Sequence, residues 1–479
     1  MTQEPLSGRQ SGSAFPWYPV ALAAAVVLGA YTANQVPLDQ VWRPLTVSLT
    51  IVATVLVGAA LVGRSHGVSL TLAGSVLLVV GLWPVLLLLI GAVIALGWWT
   101  VRNRAGSVRL AELAPKLNVV ASMWLVVSIV LTAATATARP TVEPTSALAV
   151  ARSPASRPNV YLLLLDGYPR ADSLREYFNY GNDPFIHDLE DRGFVIAAGS
   201  RAAATTTFQS VPSLLHMRSP AALGLVPFYS TPAERTHVRD LINESPAVAT
   251  FREAGYSVVS IPSGAGPLEL RDADVVVEVA PLSALETSLI DGGIVNVVAT
   301  NALYEIRRRT VDAAFDAFAS SPSLAPSPRF VFAHVMSPHA PFAFSSTGAA
   351  LPPLACAPWC DMGTAQLPAL GMTMEEIAGP LIGQLEYVNG RVLEAVDAVV
   401  AHDPDAVIVI FSDHGARLDP DDVEEWHRTF FAARLPGTPN AFGDSPTLAT
   451  VLSTLFDVYF DKGTTARATG HRPPQSNTR

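Results

Sequence analysis

Within the first 136 residues, four stretches carry no charged side chain: Pro16 to Ala33, Pro44 to Gly63, Ser69 to Thr100 and Leu117 to Ala136. Runs of this kind read as membrane-spanning helices, because about 20 apolar residues cover the ~30 Å hydrocarbon core of a bilayer. The third run, at 32 residues, is too long for one crossing, since it would make a helix of ~48 Å. Gly81-Leu82-Trp83-Pro84 lies at its middle and suits a tight hairpin: proline removes a helix donor and glycine permits the turn. About five crossings are therefore expected. Arg102, Arg104, Arg109 and Lys116 precede the last span, which puts the 101–116 loop in the cytoplasm and everything after Ala136 outside. Arg9 and Arg64 then lie inside as well. The first stretch has one Arg before it and further spans after it, so it reads as a retained helix, not a cleaved leader.

Charge divides the chain at the same place. Residues 1–157 hold 10 Lys or Arg against 4 Asp or Glu, and residues 158–479 hold 21 against 37, a change from net +6 to net −16. An acidic second part without a basic cluster argues against nucleic acid as a partner, because phosphate backbones are bound by stripes of Lys and Arg. Residues 137–157 are rich in Pro, Ala, Ser and Thr and read as an extended extracytoplasmic linker. The expected organisation is a transmembrane region over 1–136, this linker, a catalytic domain over 158–460 and a disordered tail over 461–479.

From Pro158 onward, short apolar runs alternate with longer amphipathic segments, the pattern of an α/β domain with a central, largely parallel sheet covered by helices. Expected strands are Val160 to Leu165, Val258 to Ile261, Val275 to Val279, Phe330 to Val335 and Val407 to Phe411. Expected helices include Asp183 to Arg192, Leu303 to Phe318 and Met374 to Ala401. Two of the strands run into acidic residues, Asp166 and Asp413, and ligand sites in open α/β sheets lie at such carboxyl ends. Asp413 is followed by His414 and Gly415. A carboxylate and an imidazole leaving one strand end together suit a divalent ion, Zn, Mn or Mg. Cys356 and Cys360 are the only cysteines; outside the membrane their close spacing favours a small disulfide loop.

Four segments in this order resemble the alkaline phosphatase superfamily: Pro158-Asn-Val-Tyr-Leu-Leu-Leu-Leu-Asp166-Gly-Tyr, Thr207-Phe-Gln-Ser210-Val-Pro-Ser213-Leu-Leu215, Phe332-Ala-His-Val-Met-Ser-Pro-His339-Ala-Pro-Phe342 and Ser412-Asp-His-Gly415. The resemblance is to its sulfatase-like branch, which contains lipoteichoic acid synthases and phosphoethanolamine transferases, and covers about residues 158–440. It implies an alkaline-phosphatase-like fold in which a nucleophile at a helix start ligates a metal together with a first-strand acid and a late Asp-His pair. Carried over, these are Thr207, Asp166, Asp413 and His414. Thr207 takes the nucleophile's place because Leu214 and Leu215 stand seven and eight residues beyond it, as the Leu-Leu pair of sulfatases stands beyond their cysteine. Thr205 and Thr206 read as capping or polar packing at the helix start. Leu214 occupies the place of the sulfatase arginine and no cysteine is available for formylglycine, so sulfate esters are disfavoured.

The resemblance also makes His339 a substrate-binding residue, contacting the phosphoryl group or a second metal; His427 reads equally as the distal histidine of two-metal relatives or as an exposed loop histidine, and Arg428 is a rival for phosphate contact through its planar fork. His334, inside a strand, reads as a core histidine. Ala203 stands where the relatives often carry Asn. A threonine hydroxyl is a poor nucleophile at its free pKa, and metal coordination is one way to activate it. The function expected is that of a multi-pass cell-membrane transferase with an extracytoplasmic catalytic domain. It would move a phosphoglycerol- or phosphoethanolamine-type head group from a membrane lipid donor, through Thr207, onto a cell-envelope glycan or lipid. A phosphodiesterase, phosphatase or other sulfatase-like hydrolase is the alternative, and a non-catalytic envelope assembly protein is a second.

Overall fold

The computed structural model describes residues 17–34, 36–61, 104–137, 157–227, 231–291, 300–356, 360 and 362–460. The chain divides into two compact units, one of residues 1–140 and 282–299, the other of residues 141–281 and 300–479.

Among the described residues the first unit has three long helices, α1 (Tyr18–Asn34), α2 (Trp42–Leu61) and α3 (Arg104–Thr137). Among the described residues one segment, Pro115–Ala134, is long and apolar enough to cross a membrane. Its outward side chains are apolar, with Val119, Met123, Trp124 and Val130 all more than half exposed, a surface suited to lipid rather than water. The α3 helix starts at Arg104, so most of the expected 101–116 loop is helical. Its Ala, Leu, Glu and Arg content favours helix strongly enough to extend the span backward through Pro115. The 69–100 run lies outside the described residues, and so does the count of crossings; most of 137–157 and all of 461–479 lie outside them too. The short helix Ala284–Asp291 groups with this unit and not with the sequence around it. Leu285 is fully buried against Val27, Tyr31, Val36 and Val41, and Asn34 Nδ2 donates to Ser288 Oγ at 2.8 Å.

The second unit is built on a seven-stranded sheet: β1 (Val160–Leu165), β2 (Val195–Ile196), β3 (Ser257–Ile261), β4 (Val275–Val276), β5 (Arg329–Val335), β6 (Val407–Phe411) and β7 (Phe431–Arg434). Their order is β2-β7-β6-β1-β5-β3-β4; β6, β1, β5, β3 and β4 run parallel, while at one edge β7 pairs antiparallel with β6 and β2 antiparallel with β7. The central strand β1 shows why its sequence is apolar throughout. Tyr161, Leu163 and Leu165 enter the core on one face, and Val160, Leu162 and Leu164 the core on the other. Strands covered on both faces lose the polar alternation of half-exposed ones. Truncating one of these leucines to alanine is expected to cost about 2–5 kcal/mol. Three helices matter for the site: α4 (Thr207–His216), α5 (Thr300–Ser320) and α6 (Met374–His402).

Candidate active site

The parallel strands β1, β5 and β6 all release their chemistry-bearing residues at the carboxyl edge of the sheet. Asp166 directly follows β1 and is buried. Its Oδ2 lies 3.4 Å from Thr207 Oγ1 and 3.2 Å from His334 Nε2. Asp413 and His414 follow β6 in a tight turn, where Ser412 Oγ accepts from Tyr168 N–H at 2.8 Å and donates to His414 O at 2.7 Å. Gly167 N–H donates to Asp413 Oδ1 at 3.1 Å, fixing the carboxylate with its other oxygen turned inward. Gly167 has φ +66°, and a Cβ there would stand 3.4 Å from His414 Cε1 and 3.5 Å from His339 Cδ2. Glycine is favoured there by the backbone conformation; a Cβ would make only ordinary contacts.

Thr207 opens α4. Thr206 before it is extended, with φ −138° and ψ 147°, and its carbonyl already accepts from Gln209 and Ser210 N–H. Val211, Leu214 and Leu215 bury one face of α4 in the core, which aims the helix start at the carboxyl ends of the strands. Thr207 Oγ1 lies 3.4 Å from His414 Nε2. That nitrogen is also 3.5 Å from Asp166 Oδ1 and 3.4 Å from Asp413 Oδ2. Among the described residues neither of those carboxylate oxygens has a hydrogen-bond partner. Asp166, His339 and His414 each offer a ligand atom within 4.8 Å of the others.

The protonation states follow from burial. His414 Nδ1 donates to Gly415 O at 2.7 Å and His339 Nδ1 to Ala340 O at 2.7 Å, which leaves each Nε2 with its lone pair. Burial pushes His414 down to about 3, aided by the Arg417 charge, and His339 down to about 4. Both rings are neutral near pH 7 and available as donors to a metal. Burial, with Asp166 alongside, pushes Asp413 up to about 6. For Asp166 burial acts the same way, but His339, His334 and His414 outweigh it and hold this carboxyl below the usual range. Two buried carboxylates this close raise the pKa of one of them, and a cation between them would relieve that repulsion. Two unpartnered carboxylate oxygens, a neutral imidazole nitrogen and a hydroxyl form a hard-to-borderline donor set that fits a divalent ion.

His339 sits on the loop after β5, at the edge of a cleft shared with Gly167, Gly363, Thr364, Leu381 and Ala416. Two buried side chains clamp that loop. Arg307 of α5 donates to Met336, His339 and Ala340 carbonyls at 3.1, 3.3 and 3.4 Å, and Gln384 of α6 donates to Pro338 O at 2.9 Å while accepting from Ala343 N–H. Cys356 and Cys360 are disulfide-bonded, and the turn that follows brings Gly363 to His339, where a Cβ would lie 3.2 Å from Nε2. His427 Nδ1 is tied to Ala202 O at 3.1 Å, on the segment leading to α4. Arg428 pairs with Glu176 at 2.5 Å. Neither residue belongs to the group of Asp166, His339 and His414 whose ligand atoms are spaced to hold a metal ion.

Three site residues escaped the reading of the sequence. His334 is buried but not a bystander: besides Asp166 it contacts Ser263 Oγ at 3.1 Å through Nδ1. Arg417 lies 2.9 Å from His414 Nε2. Arg307 had a legible signal, since it falls on the buried stripe of α5 with Leu303, Tyr304 and Val311, where a charge needs a reason.

No family model matches this sequence, and no curated protein matches it either. Solved structures do. The integral membrane lipooligosaccharide phosphoethanolamine transferase A of Neisseria meningitidis aligns at 12% identity with a TM-score of 0.43, over 79% of this chain and 70% of that one. The periplasmic domain of the Escherichia coli protein EptC, in complex with Zn, aligns at 14% identity and TM-score 0.40, over 65% of this chain and 85% of that one. Phosphonate monoester hydrolase of Agrobacterium radiobacter aligns at 14% and 0.40, over 63% and 74%. A 2-O glycosaminoglycan sulfatase aligns at 14% identity and TM-score 0.39, over 64% of this chain and 71% of that one.

Proposed function

We propose that this protein is a membrane-anchored transferase that carries a phosphoryl-linked head group, of phosphoglycerol or phosphoethanolamine type, from a lipid donor through Thr207 to a cell-envelope glycan or lipid. One observation carries the reading. Thr207 Oγ1, Asp166 Oδ1 and Asp413 Oδ2 lie within 3.4–3.5 Å of His414 Nε2, and among the described residues the two buried carboxylate oxygens have no hydrogen-bond partner. Asp166, Thr207, Asp413 and His414 would hold a divalent ion, which supplies a lowered hydroxyl pKa at Thr207 and charge neutralisation at the phosphoryl oxygens. The protein does the rest. Gly167 N–H and Ser412 set the Asp413 and His414 side chains, and the start of α4 presents Thr207 with its helix dipole toward the incoming phosphate. His339 at the cleft edge presents the lone pair of Nε2, which accepts a hydrogen bond from the incoming acceptor's hydroxyl. A covalent threonine suits a donor and an acceptor that bind in turn, and the apolar surface of α3 supports placing the enzyme where lipid head groups are.

The test uses the full chain in lipid nanodiscs with Zn²⁺ or Mn²⁺ and a glycerophospholipid labelled in its head group. Label is expected first on the protein and then on an added envelope-glycan fraction. Release of free phospho-head-group at one rate with or without that fraction, and no labelled glycan, would instead make the enzyme a phosphodiesterase.

A further inference from the structure

Among the described residues nine line the cleft beside His339, and two of them, His339 and Thr364, bring a polar side chain; the others are Gly, Ala, Pro and Leu. The open space is small, enough for about one water-sized group. Thr364 is 3% exposed, and among the described residues its hydroxyl has no hydrogen-bond partner. Buried hydroxyls are paired as a rule, so one on a cleft wall is placed for a ligand.

The turn that carries Thr364 is fixed on both sides. Cys360 O accepts from Gly363 N–H at 2.7 Å, just after the Cys356–Cys360 disulfide, and Thr364 O accepts from Leu367 N–H at 3.0 Å. Gly363 has φ +61°, and the Cβ it lacks would stand 3.2 Å from His339 Nε2, so the residue before Thr364 leaves that nitrogen open. His339 Nδ1 donates to Ala340 O, which makes Nε2 an acceptor only. Thr364 Oγ1 can donate as well as accept. The cleft also adjoins the nucleophile: Asp166, His339 and His414 have ligand atoms within 4.8 Å of one another, and Thr207 Oγ1 lies 3.4 Å from His414 Nε2.

We propose that Thr364 and His339 form the acceptor subsite, which holds one alcohol group, a sugar or glycerol hydroxyl, beside the Thr207 adduct; this rests on the reading of Thr207 above. Apolar walls disfavour a charged ligand. The remaining pair of groups suits an alcohol, which donates to Nε2 and accepts from Thr364.

The full chain in lipid nanodiscs with Mn²⁺ and a glycerophospholipid labelled in its head-group phosphate lets the two half-reactions be timed separately: labelling of the protein without acceptor, then loss of that label to added glycerol. Thr364→Val, close to the same shape, should label at the wild-type rate and need about tenfold more glycerol for half-maximal transfer, the loss of one hydrogen bond. Thr364→Ser keeps the hydroxyl and should behave as wild type, and Thr364→Ala carries the Val prediction should that variant not fold. An unchanged glycerol requirement in the Val and Ala variants, labelling slowed as much as transfer, or a wild-type adduct that passes to water alone overturns the subsite while leaving Thr207 as nucleophile. A wild-type chain that acquires no label on Thr207 overturns both.

Discussion

His334 Nε2 lies 3.2 Å from Asp166 Oδ2, while the other oxygen of that carboxylate faces His414. His334 belongs to β5 and Asp166 to the end of β1, paired in parallel so that Leu164 stands opposite His334. The imidazole thus grips Asp166 from the sheet, with Ser263 behind it. Groups that orient metal ligands in this way are typically worth about 10–100-fold in metal affinity or activity. His334→Leu should lower Zn²⁺ affinity by about that factor, and His334→Gln, which can still donate, should recover part of it. Chelator competition reads both variants; equal affinity in wild type and His334→Leu would reduce His334 to core packing.

Metal binding should release a proton in acid and not in base. Asp413 is pushed up to about 6 in the metal-free protein, whereas His339 and His414 are pushed down to about 4 and about 3, so between pH 4 and 6 the proton displaced by a metal is that of Asp413. As pH falls below about 6, affinity should drop about tenfold per unit, and it should level off above about 7. Calorimetry in two buffers of different ionisation enthalpy should count close to one proton released near pH 5 and almost none near pH 7.5. Equal release at both would contradict the assignment of that proton to Asp413.

Arg307 and Gln384 should behave as one clamp. Both donate to carbonyls of the loop that carries His339, from different helices. Removing either leaves buried carbonyls unpaired, at about 1–3 kcal/mol each. A double-mutant cycle of Arg307→Met and Gln384→Met, read by thermal or denaturant unfolding, should give a coupling of about 0.5–3 kcal/mol. Strict additivity would mean that the two side chains hold separate structures.

Much of this was legible because the central strands announce themselves. β1 and β6 are short apolar runs that end in acids, and no other element of an α/β sheet requires that pattern. Asp166, Asp413 and His414 therefore stood out before any geometry was known, and Thr207 followed from its offset to Leu214 and Leu215. The edge strands were missed: Val195–Ile196 is two residues long and Phe431–Arg434 mixes two alanines with a charge, so neither carries a period. His334 was read as a core residue because its partner lies 168 positions away and only strand register joins them. Arg417 went unremarked because its burial and its closeness to His414 come from the turn after β6, which residue types alone do not reveal. The helix Ala284–Asp291 lies inside the stretch expected to be catalytic domain, and its grouping with the first unit rests on the burial of Leu285, which spacing does not reveal.

Thr207 is the residue proposed to carry the transferred group, and an adduct on it can be sought directly. Full-length protein loaded with Zn²⁺ or Mn²⁺ is incubated with a glycerophospholipid donor, quenched in acid, and its peptides are mapped by mass spectrometry. A head-group phosphate adduct on Thr207, absent after metal removal and absent in a folded Thr207→Ala variant, is the result predicted. An adduct on Ser210, Ser213 or another hydroxyl, or turnover retained in Thr207→Ala, would contradict it.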